Sequence, residues 1–434
     1  MSAAPYAWTL RAATRAIVAG AISSAAYTRS LLERIAATDA KIQAWAHLDR
    51  EAAMKTAAAC DAEGRSGALA GAGIGVKDII ATADQPTQMG SPIYAGARPT
   101  QDAECVARLK RAGAFALGKT VTTEFAYMHP GKTRNPWNAA HTPGGSSSGS
   151  AAAVAMGQVA AALGTQTNGS VIRPAAFCGV VGFKATAGVL PFAGIGQFSP
   201  TLDTLGVFAR NVADCTLLAS CLGEPGWVET DAEAPERPPR LAYLAEVPWA
   251  PPVESVQRRE LEAALARLEN AGARVTAVAL PDAWRDVHLV HRRIAVGEAV
   301  EQLGELQTRE RARMSATLNA ALDEGRALGA DVYPAALSRR NALIAAAGEW
   351  MAPFDAVVSP PAIGPAPADL TRTGDPSYCT LWSLLACPAV SIPIGLSGQG
   401  LPLGMQLASF AGMDDTLLSV AAWCEERLLF RGLQ

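Results

Sequence analysis

The apolar and polar positions change period several times along this chain, and each change marks an element. Near the N-terminus the apolar positions recur at helical spacing: Tyr27, Leu31 and Ile35 form one stripe behind Ser23 or Ser24, either of which can cap a helix. A second helix is predicted over Asp49 to Ala62, with Gly64 as its stop signal. The period then collapses. "GIGVKDIIAT" places Ile74, Val76, Ile79 and Ile80 in one short apolar run, which reads as a buried strand. An amphipathic helix follows at Asp102 to Ala112, and "AFALG" returns to strand. Later, Leu261, Leu265 and Leu268 stripe a helix over Val253 to Ala271. The strands "RVTAVAL", "FDAVVSP", "PAVSIPIG" and "LGMQLA" come next, before a last helix from Asp414 to Leu429. This alternation predicts an α/β fold, a sheet covered by helices on both faces. No repeat or long low-complexity linker divides the chain, and "EAPERPPR" (Glu233 to Arg240) is the best candidate for a surface connection. One domain over residues 1–434 is expected.

Composition narrows the function classes. Half the 434 residues are apolar and 18% are charged, enough for a large core and contrary to disorder. A net charge of −3 gives no reason to expect nucleic acid or an anionic membrane as partner. The clusters His291-Arg292-Arg293 and Arg309 to Arg313 read as solvated helix faces. Eight cysteines without a C-x-x-C pair, and no histidine at ligand spacing beside them, predict reduced thiols rather than disulfides or zinc. Arg11 and Arg15 interrupt the place where a signal peptide would carry its apolar core, and the run Ala151 to Leu163 is too short to span a bilayer. A soluble, cytoplasmic protein is expected.

Three motifs carry chemistry. Gly113 to Thr120 matches the phosphate-loop pattern G-x-x-x-x-G-K-[ST]. That loop needs a strand before it and a helix after it, and here the order is reversed, so nucleotide binding is rejected. "TPGGSSSGSAAAVAMG" (Thr142 to Gly157) has three readings. A flexible linker is ruled out by the apolar sequence on both sides. A nucleophile elbow centred on Ser147 needs a preceding strand, whereas "TRNPWNAAHTP" is turn-like, and the only later histidines, His288 and His291, lie in a charged helical stretch. The third reading is a loop that positions a catalytic hydroxyl. Lys77, in an apolar strand, is costly to bury charged and must snorkel out or lose its proton. In "GTQTNGSVIRP", small residues lead into a helix with Pro174 in its first turn, so that successive amides can face an oxyanion beside Ser170.

Taken together, "GVKD", "RLKRAGAFALGKTVTTEFAY", the Gly/Ser run, "GTQTNGSVIRPAAFCGVVGFKAT", "LDTLGVFARNVAD" and "ACPAVSIPIG" with "LPLGMQL" resemble the amidase signature family of serine hydrolases over nearly the whole chain. The resemblance implies one α/β/α domain with a large mixed sheet. By position, Lys77 matches the family's catalytic lysine and Ser146 its bridging serine, which follows a non-prolyl cis peptide. Ser170 matches its nucleophile, and Thr167, Asn168, Gly169 and Ser170 carry its oxyanion amides. The chemistry is coherent: a serine needs a base, a lysine serves as one near neutrality if burial lowers its pKa, and a hydroxyl can both accept and donate between them. Two departures stand out: Gln166 and Asn168 replace an Asp and a Gly, and Arg173 sits one place later than the family's arginine.

The resemblance implies hydrolysis of an amide-type C–N bond in a primary amide, an anilide or a carbamate (urethane), or of an ester, through an acyl-enzyme with no metal or organic cofactor. The three short motifs around Lys77, Ser146 and Ser170 hold no cation besides Lys77 and Arg173, so neutral aryl or alkyl substrates are expected. The pocket is expected from the segment Tyr127 to Lys132 and from helices between Ile294 and Trp350. Two rivals stand beside this reading: the glutamine-hydrolysing A subunit of a tRNA-dependent amidotransferase, and a catalytically inactive binding protein on the same fold. Oligomeric state is left open, and a homodimer is compatible with everything above.

Overall fold

A computed structural model describes residues 4–64, 66–228, 234–235 and 237–433. Glu233 and Glu236 of the expected surface connection lie outside the described residues; Arg237 and Pro238 within it are exposed.

Among the described residues, eleven strands form one sheet: β1 (Trp45–His47), β2 (Gly73–Lys77), β3 (Phe115–Thr120), β4 (Ala161–Gln166), β5 (Val181–Lys184), β6 (Thr204–Ala209), β7 (Arg240–Leu244), β8 (Arg274–Val278), β9 (Ala356–Ser359), β10 (Ala389–Leu396) and β11 (Pro402–Ala408). Their order is β1-β3-β2-β4-β6-β5-β10-β11-β9-β7-β8. β2 runs parallel to both β3 and β4, and β7 runs parallel to both β8 and β9; the pairs between β4 and β9 are antiparallel.

Apart from the edge strand β8, which is largely exposed, the sheet is mostly buried on both faces because alternate residues of a strand point to opposite sides and both sides carry helices. In β3, Ala116 packs with the helices Glu104–Arg111, Val212–Ser220 and Asp414–Leu428 on one face. Phe115 and Leu117 pack with Ser24–Ile42 and Ser148–Ala155 on the other. This is why β2, β3 and β4 read as continuous apolar runs. At the far end of the sheet, Ala242, Val357 and Ala389 face a helical layer formed by Val287–Glu310, Ala316–Arg326, Val332–Met351 and Ser377–Leu384.

Most predicted elements appear with shifts of a few residues. Ser23 caps the helix Ser24–Ile42 by accepting from Ala26 N, and Asp49 caps Arg50–Ala62 by accepting from Ala52 N. The "GIGVKDIIAT" strand ends early, at Lys77, where the chain turns through Asp78 to Ile80. The apolar run Ala151 to Leu163 is two elements rather than one, since Ser148–Ala155 is helix and β4 begins at Ala161. Every residue of Ser148–Ala155 is buried, and a Cβ on Gly149 would lie 2.2 Å from Ala44 O and 2.3 Å from Val121 N. Small residues are what let this helix sit directly on backbone. The eight cysteines are free, and six are buried.

Candidate active site

Parallel pairing of β2 with β4 (Val76 opposite Leu163) brings their C-terminal ends side by side. Ligand sites in α/β sheets form at such ends. Lys77 is the last residue of β2, and Thr165 and Gln166 close β4. The chain then turns through Thr167 to Ser170 into the helix Ile172–Cys178. Above this edge the Gly/Ser run enters Ser148–Ala155, and the Gly145–Ser146 peptide bond is cis.

Lys77 is fully buried, and its Nζ lies 2.7 Å from Ser146 Oγ, 2.7 Å from Thr165 Oγ1 and 3.4 Å from Thr165 O. No carboxylate pairs with it among the described residues. Burial pushes the amine down to about 7, opposed by attraction to the Asp203 carboxylate. Near neutrality it therefore holds a lone pair that can take the Ser146 proton. Ser170 is mostly buried, and no hydrogen bond joins its hydroxyl to Ser146 among the described residues. Such bonds commonly tighten only once substrate is bound.

The turn after β4 is fixed from several sides. Thr167 O faces His291 Nε2 at 3.1 Å, Asn168 O accepts from Ser383 Oγ at 2.6 Å, and Gly169 O accepts from Arg173 N at 3.0 Å. The amides of Asn168, Gly169 and Ser170 donate to no other group among the described residues. Thr167 Oγ1 donates to Asp203 Oδ1 at 2.5 Å, while Asp203 Oδ2 accepts from Phe198 N and Ser199 N. Asp203 is buried, which pushes its carboxyl up to about 6.

Gln166 Oε1 accepts from Val171 N at 2.8 Å and Ile172 N at 3.0 Å, and Nε2 donates to Ser383 Oγ at 3.2 Å. Arg173 does not meet it. Its Nη2 donates to Gly145 O at 2.8 Å, and its Nε donates to Thr373 O at 2.7 Å. The two departures are thus separate devices, one seating the helix start and the other clamping the peptide before Ser146.

Ser147 Oγ donates to Thr165 O at 3.2 Å and accepts from Thr165 N at 3.3 Å, so this fully buried hydroxyl ties the loop to β4. Lys119 of the phosphate-loop match is buried inside β3, its amine 2.5 Å from Ile80 O and 2.6 Å from Thr87 Oγ1. It has no free face for a phosphate.

A cavity of about 350 Å³ opens onto Thr167, Asn168, Gly169 and Ser170, within the range of small-molecule sites. Tyr127, Met128, Phe198, Trp249, Leu289 and Ala295 make it largely apolar, and its lining contains no acidic residue. A larger groove of about 780 Å³, lined by Tyr6, Arg34, Arg210 and Glu425, contains none of Lys77, Ser146 or Ser170. The expected wall around Tyr127 is present. The sequence reading, however, missed Trp249, His288, Ser377 and Thr380, and it misplaced His291 and Arg292. These two do not belong to a solvated face. His291 is buried against the Thr167–Ser170 turn, and Arg292 lines the cavity, joined to Tyr127 Oη at 2.6 Å and to Glu324. The signal was available: Val287, Val290, His291 and Ile294 share one helical face. The cluster Arg309 to Arg313 does lie at the surface.

The arrangement can deliver a serine oxygen to a carbonyl with a lysine as proton acceptor. Residues 26–418 match the family model described as Amidase. The A subunit of Glutamyl-tRNA(Gln) amidotransferase from Roseiflexus castenholzii is 32% identical over 96% of this chain and 94% of its own. Among solved structures, one described as the crystal structure of amidase superposes with a TM-score of 0.87 at 30% identity, covering 97% of this chain and all of that one. The native peptide amidase from Stenotrophomonas maltophilia gives 0.85 at 29% identity, covering 99% of both chains. With motifs, topology and these likenesses agreeing across its length, this chain belongs to the amidase family, the amidase signature hydrolases of amide C–N bonds.

Proposed function

We propose that the chain hydrolyses small neutral amide-type substrates (anilides, aryl or alkyl amides and carbamates, with esters as a side activity) through an acyl-enzyme on Ser170. The observation that carries the reading is the 2.7 Å contact between Ser146 Oγ and a fully buried Lys77 amine held near neutrality. Ser170 Oγ attacks the substrate carbonyl carbon. Its proton passes to Ser146 as the Ser146 proton passes to Lys77, and the carbonyl oxygen becomes an oxyanion facing the Asn168, Gly169 and Ser170 amides. As the C–N bond breaks, the relay runs backwards and the Lys77 proton leaves on the amine. Water then cleaves the ester on Ser170 by the same path. The Ser146–Lys77 contact is already formed and the Ser170–Ser146 contact closes on substrate binding; no metal or organic cofactor takes part.

The cavity supports the substrate class. Tyr127 stacks on Phe198 with ring centroids 4.7 Å apart, and Trp249 stacks on His288 at 6.2 Å, giving planar walls suited to an aryl group. The second reading rests on the relatives named as the A subunit of Glutamyl-tRNA(Gln) amidotransferase. Free glutamine brings an ammonium, yet no acidic residue lines the cavity to receive it, although Arg173 and Arg292 are both in the wall. A hydrolysis screen over anilides, primary amides, carbamates, esters and L-glutamine tests both. An aryl amide or carbamate should lead, and L-glutamine as the best substrate would replace this reading with the second. Fluorophosphonate labelling with peptide mapping should find the adduct on Ser170. A label on Ser147, still formed in Ser170→Ala, would overturn the relay.

A further inference from the structure

We infer that His291 is a positioning residue for the oxyanion site, holding the Thr167–Asn168 peptide so that the Asn168 amide faces the reacting carbonyl. The inference rests on the acyl-enzyme reading above. In a trans peptide the C=O and the following N–H point in opposite directions, so a donor on the carbonyl fixes where the amide aims. Three successive peptides of the turn are set in this way, by His291 Nε2, Ser383 Oγ and Arg173 N, and the three amides on the other side have no acceptor among the described residues.

A backbone carbonyl only accepts, so His291 must carry its proton on Nε2; the tautomer follows from the contact. Burial pushes the ring down to about 4, so it donates as a neutral group across the neutral range. It aims the amide without adding a charge beside the reacting centre.

The helix carrying His291 is also part of the substrate wall. His288, Leu289, Arg292 and Ala295 of Val287–Glu310 line the same cavity. Two turns on, buried Glu298 accepts from Ser199 Oγ at 2.5 Å and Thr201 N at 3.0 Å, in the segment that leads to Asp203. Asp203 in turn holds the Thr167 hydroxyl. One helix thus grips Thr167 twice, at its carbonyl through His291 and at its side chain through the Glu298-anchored segment. A substrate that seats well against this wall meets a turn already aimed, and the effect belongs in turnover rather than in binding.

The test compares His291→Leu, which keeps bulk and removes the donor, with His291→Gln, whose amide nitrogen can reach where Nε2 stood. Both are assayed on a chromogenic anilide and for affinity toward an aryl boronic acid, which forms a tetrahedral adduct with a serine. Removing one oxyanion donor costs about 10²–10³-fold in kcat, so loss of its aim should cost about 10–100-fold. For His291→Leu the expectation is that kcat and boronate affinity fall together, with KM within about 3-fold and the melting temperature near wild type; Gln should restore most of kcat. If the Leu variant does not fold, His291→Asn, whose shorter amide falls short of Thr167 O, should show the same loss. Raised KM with intact kcat would overturn the inference, and so would equal damage by Leu and Gln. Ser170→Ala separates the two levels. If it retains turnover, the acyl-enzyme reading itself is wrong; if it is inactive while His291→Leu keeps full kcat, only the role of His291 is lost.

Discussion

A lysine amine with no carboxylate partner among the described residues, at the end of a central strand, should set the pH behaviour of the proposed site. Lys77 goes from an ordinary value of 10.5 to about 7 because water is removed from around it. In the proposed relay the active form is the neutral amine, so kcat/KM should rise with pH through an acid limb near 7 and flatten above it. The sign for stability follows: a charged lysine disfavours the native state, so Lys77 adds stability as pH climbs from about 7 towards 10.5. Lys77→Ala should fold and lose about 10²–10⁴-fold in rate, the usual worth of a general base. Asp203 pulls the amine upward, so Asp203→Asn, which keeps most of the hydrogen-bond geometry, should move the acid limb to lower pH. A pH–rate profile of each variant checks this, and a limb that stays put or moves to higher pH would sink the electrostatic role of Asp203. Gln166 supplies a different test. Its carbonyl serves two buried amides, and Gln166→Leu orphans both at about 1–3 kcal/mol each. Urea unfolding should report a destabilisation of that size. Lys77, Ser146 and Ser170 could be proposed from the sequence because each sits in a short, distinctive motif. Asp203 was not singled out, since a lone acid in "LDTLG" looks like a turn residue until its three donors are seen.

Among the elements, legibility followed periodicity. β2, β3, β10 and β11 could be read because they are apolar and bounded by breakers. β4 was hidden, its alanines continuing the composition of the helix before it, so only the break at Gly157 to Ala160 separates them. The helix Val287–Glu310 was read at its charged positions and not at its buried stripe. Three consecutive residues of a helix cover about 200° of its circumference, so His291, Arg292 and Arg293 could not all face solvent. Here His291 is buried, Arg292 is half-buried at the cavity and Arg293 is exposed. Glu298, also on the buried stripe, joins this helix to Ser199, Thr201 and Tyr333. Glu298→Leu strips these donors of their acceptor and should loosen the 198–203 segment before it affects the rest of the fold. Hydrogen exchange should show faster amides at Ser199 and Thr201 with the β2–β4 core still protected, accompanied by a higher KM. Uniform protection with an unchanged KM would argue that the helix is held by apolar packing alone.

At the scale of the whole molecule, helix–strand alternation was enough for an α/β sandwich, but the strand order was beyond reach of local patterns. β10 lies beside β5 across some two hundred residues of chain, and neither strand carries a mark that names its partner. The same limit applies to partners outside the chain. Relatives that match over nearly its full length are named as the A subunit of Glutamyl-tRNA(Gln) amidotransferase, whereas the peptide amidase superposes equally completely. Overall likeness therefore does not separate a component of an assembly from an enzyme acting alone, and the discriminating features are local. The net charge of −3 offers little general attraction for a polyanion, and the cavity wall contains no carboxylate for an amino-acid ammonium. The purified chain by itself should therefore hydrolyse an aryl amide or carbamate at a rate unchanged by added tRNA, with glutaminase activity lower by at least about 10-fold, the factor that one unmet buried charge contact of about 1.4 kcal/mol supplies. Light scattering during turnover gives the size of the active species. If aryl amide turnover appears only when other polypeptides co-purify, or if tRNA raises glutamine hydrolysis, the chain works as part of a larger assembly, with a different occupant in the apolar cavity.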